Sequence, residues 1–159
     1  SDKKKNVKRL KKTKHKIYNI KKLLWKKNKE QLDVQHSIKK RHFLLERTYE
    51  NYKKCKLNEE DAEFKIWRYK LKHNDISDDF IFEQQKEASR WGNYAKGALF
   101  DLNKHNKKIK LLEKYFDDIN NFIKSSTQLI NTFETKLKYY TDQNDYYNRL
   151  VDNINLPTY

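Results

Sequence analysis

The hydrophobic positions in the second half of the chain follow a seven-residue repeat. Alternating steps of three and four residues from Ile81 select 22 positions, of which 18 are apolar. The positions are Ile81, Gln84, Ala88, Trp91, Ala95, Ala98, Leu102, His105, Ile109, Leu112, Phe116, Ile119, Ile123, Ser126, Ile130, Phe133, Leu137, Tyr140, Asn144, Tyr147, Val151 and Ile154. A repeat kept over this distance predicts helices packed on helices in coiled-coil geometry.

A second set of apolar residues widens this hydrophobic stripe. It occupies one flanking position of the same repeat and consists of Phe80, Tyr94, Tyr115, Phe122, Leu129 and Leu150. A wide stripe faces more than one neighbour. It therefore favours a bundle of more than two helices, unless two long hairpins associate to make one.

Polar clusters mark the predicted ends of helices. The clearest is residues 73–79, where Ser77 is a candidate N-cap followed by two aspartates. Weaker breaks are expected at residues 33–37 and 117–127. A kink or a further break is also expected at Asn58, because the apolar phase shifts from Leu45 and Tyr52 to Phe64, Trp67 and Leu71 around it. The three breaks give four segments of similar length. The sequence thus predicts a single all-α domain over residues 1–159, an elongated up-down-up-down four-helix bundle, with a long antiparallel two-helix hairpin as the alternative.

Composition supports long helices. The chain has two glycines and one proline, too few for the turns of a β-rich fold. It is 37% charged and 36% hydrophobic, and the regular spacing of its apolar residues provides a surface worth burying. We therefore expect a folded helical protein rather than a disordered one.

The net charge of +15 is concentrated at the N-terminus, where residues 1–30 contain 14 Lys and Arg. Leu10, Ile17 and Leu24 recur every seven residues there, so residues 1–32 form a basic amphipathic segment. Its candidate anion-binding or membrane-binding residues are Lys3, Lys4, Lys5, Lys8, Arg9, Lys11, Lys12, Lys21, Lys22, Lys26 and Lys27. Such a helix grips nucleic-acid phosphates, lies on anionic lipid or serves as a solvated outer face.

Four polar residues interrupt the apolar stripe of the second half: Gln84, His105, Ser126 and Asn144. Gln31 and His42 are expected to play the same part in the first half. Buried polar groups need partners, and they often fix helix register. A seam that is polar at several levels is also easier to open than an apolar one.

The sequence contains no pattern that predicts enzymatic activity, a metal site or a cofactor. The five histidines form no His-x-x-x-His pair and no Glu-x-x-His motif, and Cys55 is the single cysteine. A nucleophile elbow or phosphate loop requires glycines that the chain lacks. We therefore expect a protein that binds rather than catalyses.

Trp25, Trp67 and the small residues of the second half are interpreted as packing residues. Aromatic side chains stack on bases and lie at membrane interfaces, but core packing is the favoured reading for both tryptophans. Ala88, Gly92, Ala95, Gly97 and Ala98 form a small-residue patch. We expect it to allow close helix packing, with a bend as the alternative.

The bias towards Lys, Asn and Tyr, the scarcity of Gly and Pro, the single Cys55 and the four comparable segments resemble the small helical proteins of Plasmodium. Among these, the chain is most similar to the sporozoite microneme protein family essential for cell traversal. The resemblance covers the whole chain and rests on composition and architecture, without a motif that carries over a functional residue. It implies a secreted, micronemal, non-enzymatic four-helix bundle that acts when the parasite passes through host cells.

We accordingly expect a monomer that contacts an anionic membrane surface or a host protein, with nucleic acid the less favoured partner. A basic nucleic-acid-binding protein and an intracellular scaffold that recruits a partner helix stay open as alternatives. Residues 1–30 are too basic for a signal peptide, and no run of 18 apolar residues occurs, so the chain is expected to be soluble. Its start at Ser1 suggests a trimmed N-terminus, which leaves an upstream targeting segment open.

Overall fold

The described part of the chain folds into two long helices. The computed structural model describes residues 1–72 and 78–155, and every one of these residues except Ser1 is α-helical. Helix α1 spans Asp2–Lys72 and helix α2 spans Asp78–Asn155. No strand occurs in the two described ranges, which confirms the all-α prediction.

The helices run through most of the predicted breaks. Residues 33–37, residues 117–127 and Asn58 are all helical, so neither of these two breaks occurs and α1 does not end at Asn58. Asn and Ser each weaken a helix interior by only about 0.5 kcal/mol, too little to end it while the inward positions keep their phase. The predicted break at residues 73–77, with its Ser77 cap, lies outside the described residues. The described residues form two helices, as the hairpin alternative predicts, and a four-helix bundle is not confirmed.

The ends of α1 carry local stabilising groups. The Ser1 side chain accepts a hydrogen bond from the Lys4 amide at 3.4 Å, as an N-cap does. Asp2 lies in the first turn, and Lys70 and Lys72 lie in the last. Each charge complements the helix dipole at its own end.

The described helices pack within two compact units. Unit 1 comprises Ser1–Val34 and Tyr115–Tyr159, and unit 2 comprises Gln35–Lys114. Each unit contains one segment of α1 and one of α2. The paired segments are antiparallel in both units: Asn6 and Gln31 contact Tyr140 and Asn120 in unit 1, and Arg41 and Glu59 contact His105 and Gly92 in unit 2. The expectation of a single domain over residues 1–159 stays a prediction.

One unbroken seven-residue repeat sets the inward face of each helix. In α2 it is the predicted stripe, which is buried or half-buried from Ile81 to Tyr147, while Val151 and Ile154 are exposed. In α1 the inward positions are Lys3, Asn6, Leu10, Thr13, Ile17, Ile20, Leu24, Lys27, Gln31, Val34, Ile38, Arg41, Leu45, Thr48, Tyr52, Cys55, Glu59, Ala62, Ile66 and Tyr69. The shift of phase expected near Asn58 does not occur.

The two units bury different side chains. The buried apolar residues of unit 1 are Ile17, Val34, Ile119 and Ile130, all β-branched. Those of unit 2 are Cys55, Ala62, Ala95, Ala98, Leu102 and Ile109, most of them small. The polar residues that are fully buried in the described chain, Asn6, Thr13 and Ser126, belong to unit 1.

Candidate functional site

The four polar residues predicted on the α2 seam all lie on it. Ser126 is buried, and Gln84, His105 and Asn144 are half-buried. In unit 2, Arg41 Nη1 lies 3.1 Å from His105 Nδ1. Because a guanidinium has donors only, the imidazole nitrogen accepts this hydrogen bond. The functional role assigned to the four residues stays a prediction.

Helix α1 adds polar groups to the seam of unit 1. Asn6 Nδ2 donates to the Tyr140 carbonyl oxygen at 2.9 Å, which ties the two helix segments together. Gln31 donates to the Asn120 side chain from its predicted place on the seam. The prediction for His42 is wrong, because its side chain is exposed and the repeat places Arg41 inward.

Most of the predicted basic residues lie on the surface of unit 1. Lys3 and Lys27 occupy inward positions and are half-buried, and Lys21 Nζ lies 3.4 Å from Glu134 Oε1. The exposed set comprises Lys4, Lys5, Lys8, Arg9, Lys11, Lys12, Lys21, Lys22 and Lys26, joined by Lys14, Lys16 and Lys29, which the prediction omitted. The N-terminal segment of α1 is therefore a cationic outer surface.

Lys27 forms a small polar network with α2. Its Nζ donates to Glu30 Oε2 at 3.0 Å, and the Tyr115 hydroxyl donates to the same oxygen at 3.0 Å. The Lys27 bond, followed by the Tyr115 bond, lowers the pKa of Glu30, and the Glu30 carboxylate raises the pKa of both partners. The network lies over the flanking stripe, since Lys27 Nζ is 5.6 Å from the centre of the Phe122 ring.

The structure corrects the interpretation of the tryptophans. Trp25 is 59% exposed and Trp67 is 58% exposed, so neither is a core residue. The inward phase of α1 passes through Leu24 and Ile66 instead, one residue before each tryptophan. Both indole rings therefore point outward.

Trp25 belongs to a line of exposed apolar residues on the outside of unit 1. Tyr18, Trp25 and Leu32, here called the Trp25 stripe, are spaced by seven residues, and each is more than half exposed. At 1.5 Å per residue the stripe is about 21 Å long. Exposed apolar lines of this kind mark interaction surfaces more often than isolated exposed residues do.

Lysines surround the Trp25 stripe. Residues three or four positions apart are neighbours on a helix surface, so Lys21, Lys22 and Lys29 adjoin Trp25, and Lys14 adjoins Tyr18. Lys29 Nζ lies 4.1 Å from the centre of the Trp25 ring, in cation–π geometry. The result is an apolar line framed by cations.

The Trp25 stripe had a signal in the sequence. Tyr18, Trp25 and Leu32 keep the same seven-residue spacing as Leu10, Ile17 and Leu24, one position later. A second apolar repeat beside the inward one indicates an additional contact surface. This second repeat was not recognised because Trp25 was interpreted as a core residue.

The small-residue patch has one point of close approach, in unit 2. A Cβ atom at Gly92 would lie 3.0 Å from Glu59 Oε2 of α1, whereas a Cβ at Gly97 would meet nothing within 4 Å. A surface groove of about 420 Å³ beside Gly92 is bordered by Tyr52, Glu59 and Leu99. Close packing is thus a property of Gly92 rather than of both glycines.

The described residues provide neither a metal-binding cluster nor a membrane-spanning helix. In residues 1–72 and 78–155, no three His, Cys, Asp or Glu side chains converge on a point where a metal ion would fit. Within the same ranges, neither helix has a stretch apolar enough to cross a bilayer.

Comparison with known proteins gives no match. No protein-family model, curated protein or solved structure is significantly similar to the chain. The resemblance to traversal proteins therefore stays a prediction.

Proposed function

We propose that the chain is a non-enzymatic protein that binds the surface of anionic membranes through unit 1. The Trp25 stripe enters the headgroup layer, and the lysines beside it contact anionic lipids. The observation that carries this proposal is the line of Tyr18, Trp25 and Leu32, exposed on the most basic segment of the chain. Helices that lie in a membrane interface combine these same two features.

The energies are of the size that reversible membrane binding needs. A lysine close to an anionic leaflet contributes about 1 kcal/mol at physiological salt. Lys14, Lys21, Lys22 and Lys29 would together contribute on the order of 4 kcal/mol, a factor of roughly 1,000 in affinity. Burial of the exposed parts of Tyr18 and Trp25 adds to this, because each aromatic ring presents on the order of 100 Å² of apolar surface.

Lipid fits the Trp25 stripe better than nucleic acid does. Consecutive residues of the stripe are about 10.5 Å apart along a helix, whereas stacked bases follow one another every 3.4 Å or so. Leu32 has no ring to stack on a base. An aliphatic residue in line with two aromatic ones suits a headgroup layer instead.

The setting we propose follows the resemblance to traversal proteins. A protein secreted by a parasite that passes through host cells meets the anionic cytoplasmic face of the host membrane. That face attracts basic segments. The support on the molecule itself is the cationic surface of unit 1 and the Trp25 stripe. A four-helix bundle would require two copies in this proposal, since each unit contains two helix segments.

Vesicle co-sedimentation tests the proposal. We expect the chain to bind vesicles of phosphatidylcholine with 30% phosphatidylserine in 0.1 M salt, and to bind much less to phosphatidylcholine alone or in 0.5 M salt. The variant Tyr18→Ala with Trp25→Ala should bind at least about tenfold more weakly. The matched control is Tyr139→Ala with Tyr146→Ala, two exposed aromatics on α2 of the same unit, which should bind as the wild type does.

Two outcomes would overturn the proposal. One is equal loss of binding in the stripe variant and the control, which would show that the Trp25 stripe has no special part. The other is a 30-nucleotide RNA or DNA probe that binds more tightly than the vesicles under the same conditions. That second outcome would replace lipid with nucleic acid as the partner.

We further propose that unit 1 opens along its polar seam once it is bound. The motive is the set of polar groups on the seam of unit 1: Asn6, Thr13 and Ser126 are buried, and half-buried Gln31 and Asn120 are hydrogen-bonded to each other near one end of the unit. Replacing both by leucine makes this level of the seam apolar. The double variant should bind vesicles normally and release less entrapped dye, so unchanged leakage would remove the opening step and leave the binding proposal intact.

A further inference from the structure

Helix α1 has a second apolar face in unit 2, directed away from the seam. Leu57, Phe64 and Leu71 are spaced by seven residues, and Phe43 keeps the same phase two repeats earlier. Trp67 adjoins them, with its ring centre 5.6 Å from that of Phe64. These five residues, here called the outer face, are all more than half exposed.

The outer face is large enough to matter for assembly. With aromatic side chains of 150–250 Å², its five residues expose roughly 600 Å² of apolar surface. Glu50 occupies the repeat position between Phe43 and Leu57 and divides this surface, so its contiguous part, from Leu57 to Leu71, falls within the usual range of the largest apolar patch on a monomer. Two such faces would bury about 1,200 Å² against each other, the lower limit for a specific protein interface.

The charges along the outer face are self-complementary. Lys53 and Lys54 lie one turn before Leu57, and Glu60 and Asp61 lie one turn after it. When two such helices are antiparallel and cross at Leu57, each pair of lysines meets the pair of acids of the other helix. A parallel arrangement would instead place like charges together.

We infer that the outer face binds the outer face of a second copy of this chain, antiparallel, with Leu57 on the twofold axis. Lys53 then lies opposite Glu60 of the second copy, and Lys54 lies opposite Asp61. The apolar ends match as well, because Phe43 comes to lie beside Leu71 of the second copy. A surface groove of about 420 Å³ next to Phe43, Glu46 and Glu50 accommodates that leucine.

Other partners fit the outer face less well. Glu60 and Asp61 offset the attraction of Lys53 and Lys54 for an anionic membrane or a nucleic acid, so neither partner gains from the charges at the centre of the outer face. The arrangement carries two kinds of unfavourable contact: Glu50, at the repeat position between Phe43 and Leu57, comes opposite Phe64 of the second copy, and at the ends Arg47 faces Arg68 of the second copy. Both arginines lie at the solvated edge, where the repulsion is screened, and the contact lowers the affinity without preventing association.

The association joins two pairs of helix segments through unit 2. Four helical segments then lie together, which is how two associating hairpins would produce a four-helix assembly. This inference replaces the sequence-based expectation of a monomer. It involves none of the residues of the Trp25 stripe and is independent of the proposed membrane binding.

Sedimentation velocity on the full chain tests the inference first. We expect a monomer–dimer equilibrium in the micromolar range for the wild type. Leu57→Glu places two carboxylates on the twofold axis and should abolish the dimer. The control is Leu111→Glu, because Leu57 and Leu111 are both 65% exposed in unit 2, but Leu111 is on α2. A wild type that stays monomeric at 100 µM, or equal behaviour of the two variants, would overturn the inference.

Charge exchange then tests the antiparallel pairing. Lys53→Glu with Lys54→Glu, or Glu60→Lys with Asp61→Lys, should each weaken the dimer at least about tenfold. The first change also lowers the net positive charge, so general repulsion predicts the opposite result. All four substitutions together restore every pair and should restore the dimer. A fourfold variant that remains as weak as the twofold ones would contradict the pairing, and circular dichroism controls for folding.

Discussion

Unit 1 and unit 2 use the same seven-residue repeat but fill it with different side chains. Unit 1 buries β-branched residues such as Ile119 and Ile130, together with the polar Asn6, Thr13 and Ser126. Unit 2 buries Cys55 and three alanines beside two larger residues. One backbone geometry therefore has a seam of large and polar residues in one unit and a seam of small residues in the other.

The difference extends to the outer surfaces. In unit 1 the exposed apolar residues of α1 lie among lysines, which suits a charged flat surface such as anionic lipid. In unit 2 they lie between residues of both charge signs, which suits a second protein surface. The charges around an apolar line, rather than the line itself, thus indicate the kind of partner.

Truncation should affect unit 1 most. Ile119 is 2% exposed, and Ile119→Ala removes three carbon atoms from the closest part of its seam. We expect the free energy of unfolding to fall by about 3 kcal/mol, from lost burial and from the cavity that remains. Urea denaturation followed by circular dichroism measures the change. Leu111→Ala, at an exposed position, should change stability by less than about 0.5 kcal/mol, and an equal loss in both variants would contradict the assigned seam.

Unit 2 should be destabilised by enlarging a buried residue. Ala95 is 3% exposed, so Ala95→Leu forces additional atoms between two helices that small residues hold close together. Overpacking of this kind costs about 1–3 kcal/mol. Lys96→Leu introduces the same side chain at the adjacent exposed position and should be nearly neutral in the same denaturation experiment. A stabilised Ala95→Leu variant would show that the seam of unit 2 has room to spare.

The two glycines sharpen this picture of unit 2. Gly97→Ala meets no atom and should stabilise α2 by about 0.5–1 kcal/mol through helix propensity alone. Gly92→Ala brings the same gain, but its new Cβ displaces the Glu59 carboxylate. Its net effect should be smaller, as thermal unfolding of both variants would show. Equal gains would indicate that Glu59 moves away without cost.

The smallest expected effect concerns the Glu30 network of unit 1. The hydrogen bonds from Lys27 and Tyr115 lower the pKa of Glu30 below its ordinary value of 4.5. The ionised carboxylate therefore contributes stability that is present above pH 4.5 and is lost as the pH falls through the lowered pKa. Wild type and Glu30→Gln should differ slightly in Tm at pH 7 and converge as the pH falls through the lowered pKa of Glu30. A difference that grows on acidification would contradict the assigned network.

The seam of α2 was predictable because it is nearly all apolar. Its phase from Ile81 to Tyr147 could be read directly from the sequence. The seam of α1 was harder to predict, since Lys27, Arg41 and Glu59 occupy inward positions and are half-buried there. A polar residue at an inward position carries no hydrophobic signal, so the repeat was lost around it.

The predictions of helix breaks and of buried tryptophans were wrong for a related reason. Phe64 and Trp67 attract attention by their size, but they belong to the outer face, while the smaller Ala62 and Ile66 point inward. Reading the large residues as core created a shift of phase near Asn58 that the helix does not have. The same cause limited the prediction of the candidate site. Its lysines could be predicted from their charge, but Tyr18, Trp25 and Leu32 were not predicted to form an exposed line.

The fluorescence of Trp25 provides the most direct test of membrane binding through unit 1. In the variant Trp67→Phe with Trp91→Phe, Trp25 is the remaining tryptophan of the chain. When phosphatidylserine vesicles are added, its emission should shift to shorter wavelength and become resistant to quenching by iodide, since the ring leaves water for the headgroup layer. An unchanged spectrum from protein that is bound to the vesicles would contradict the account, because the Trp25 stripe would then remain in water.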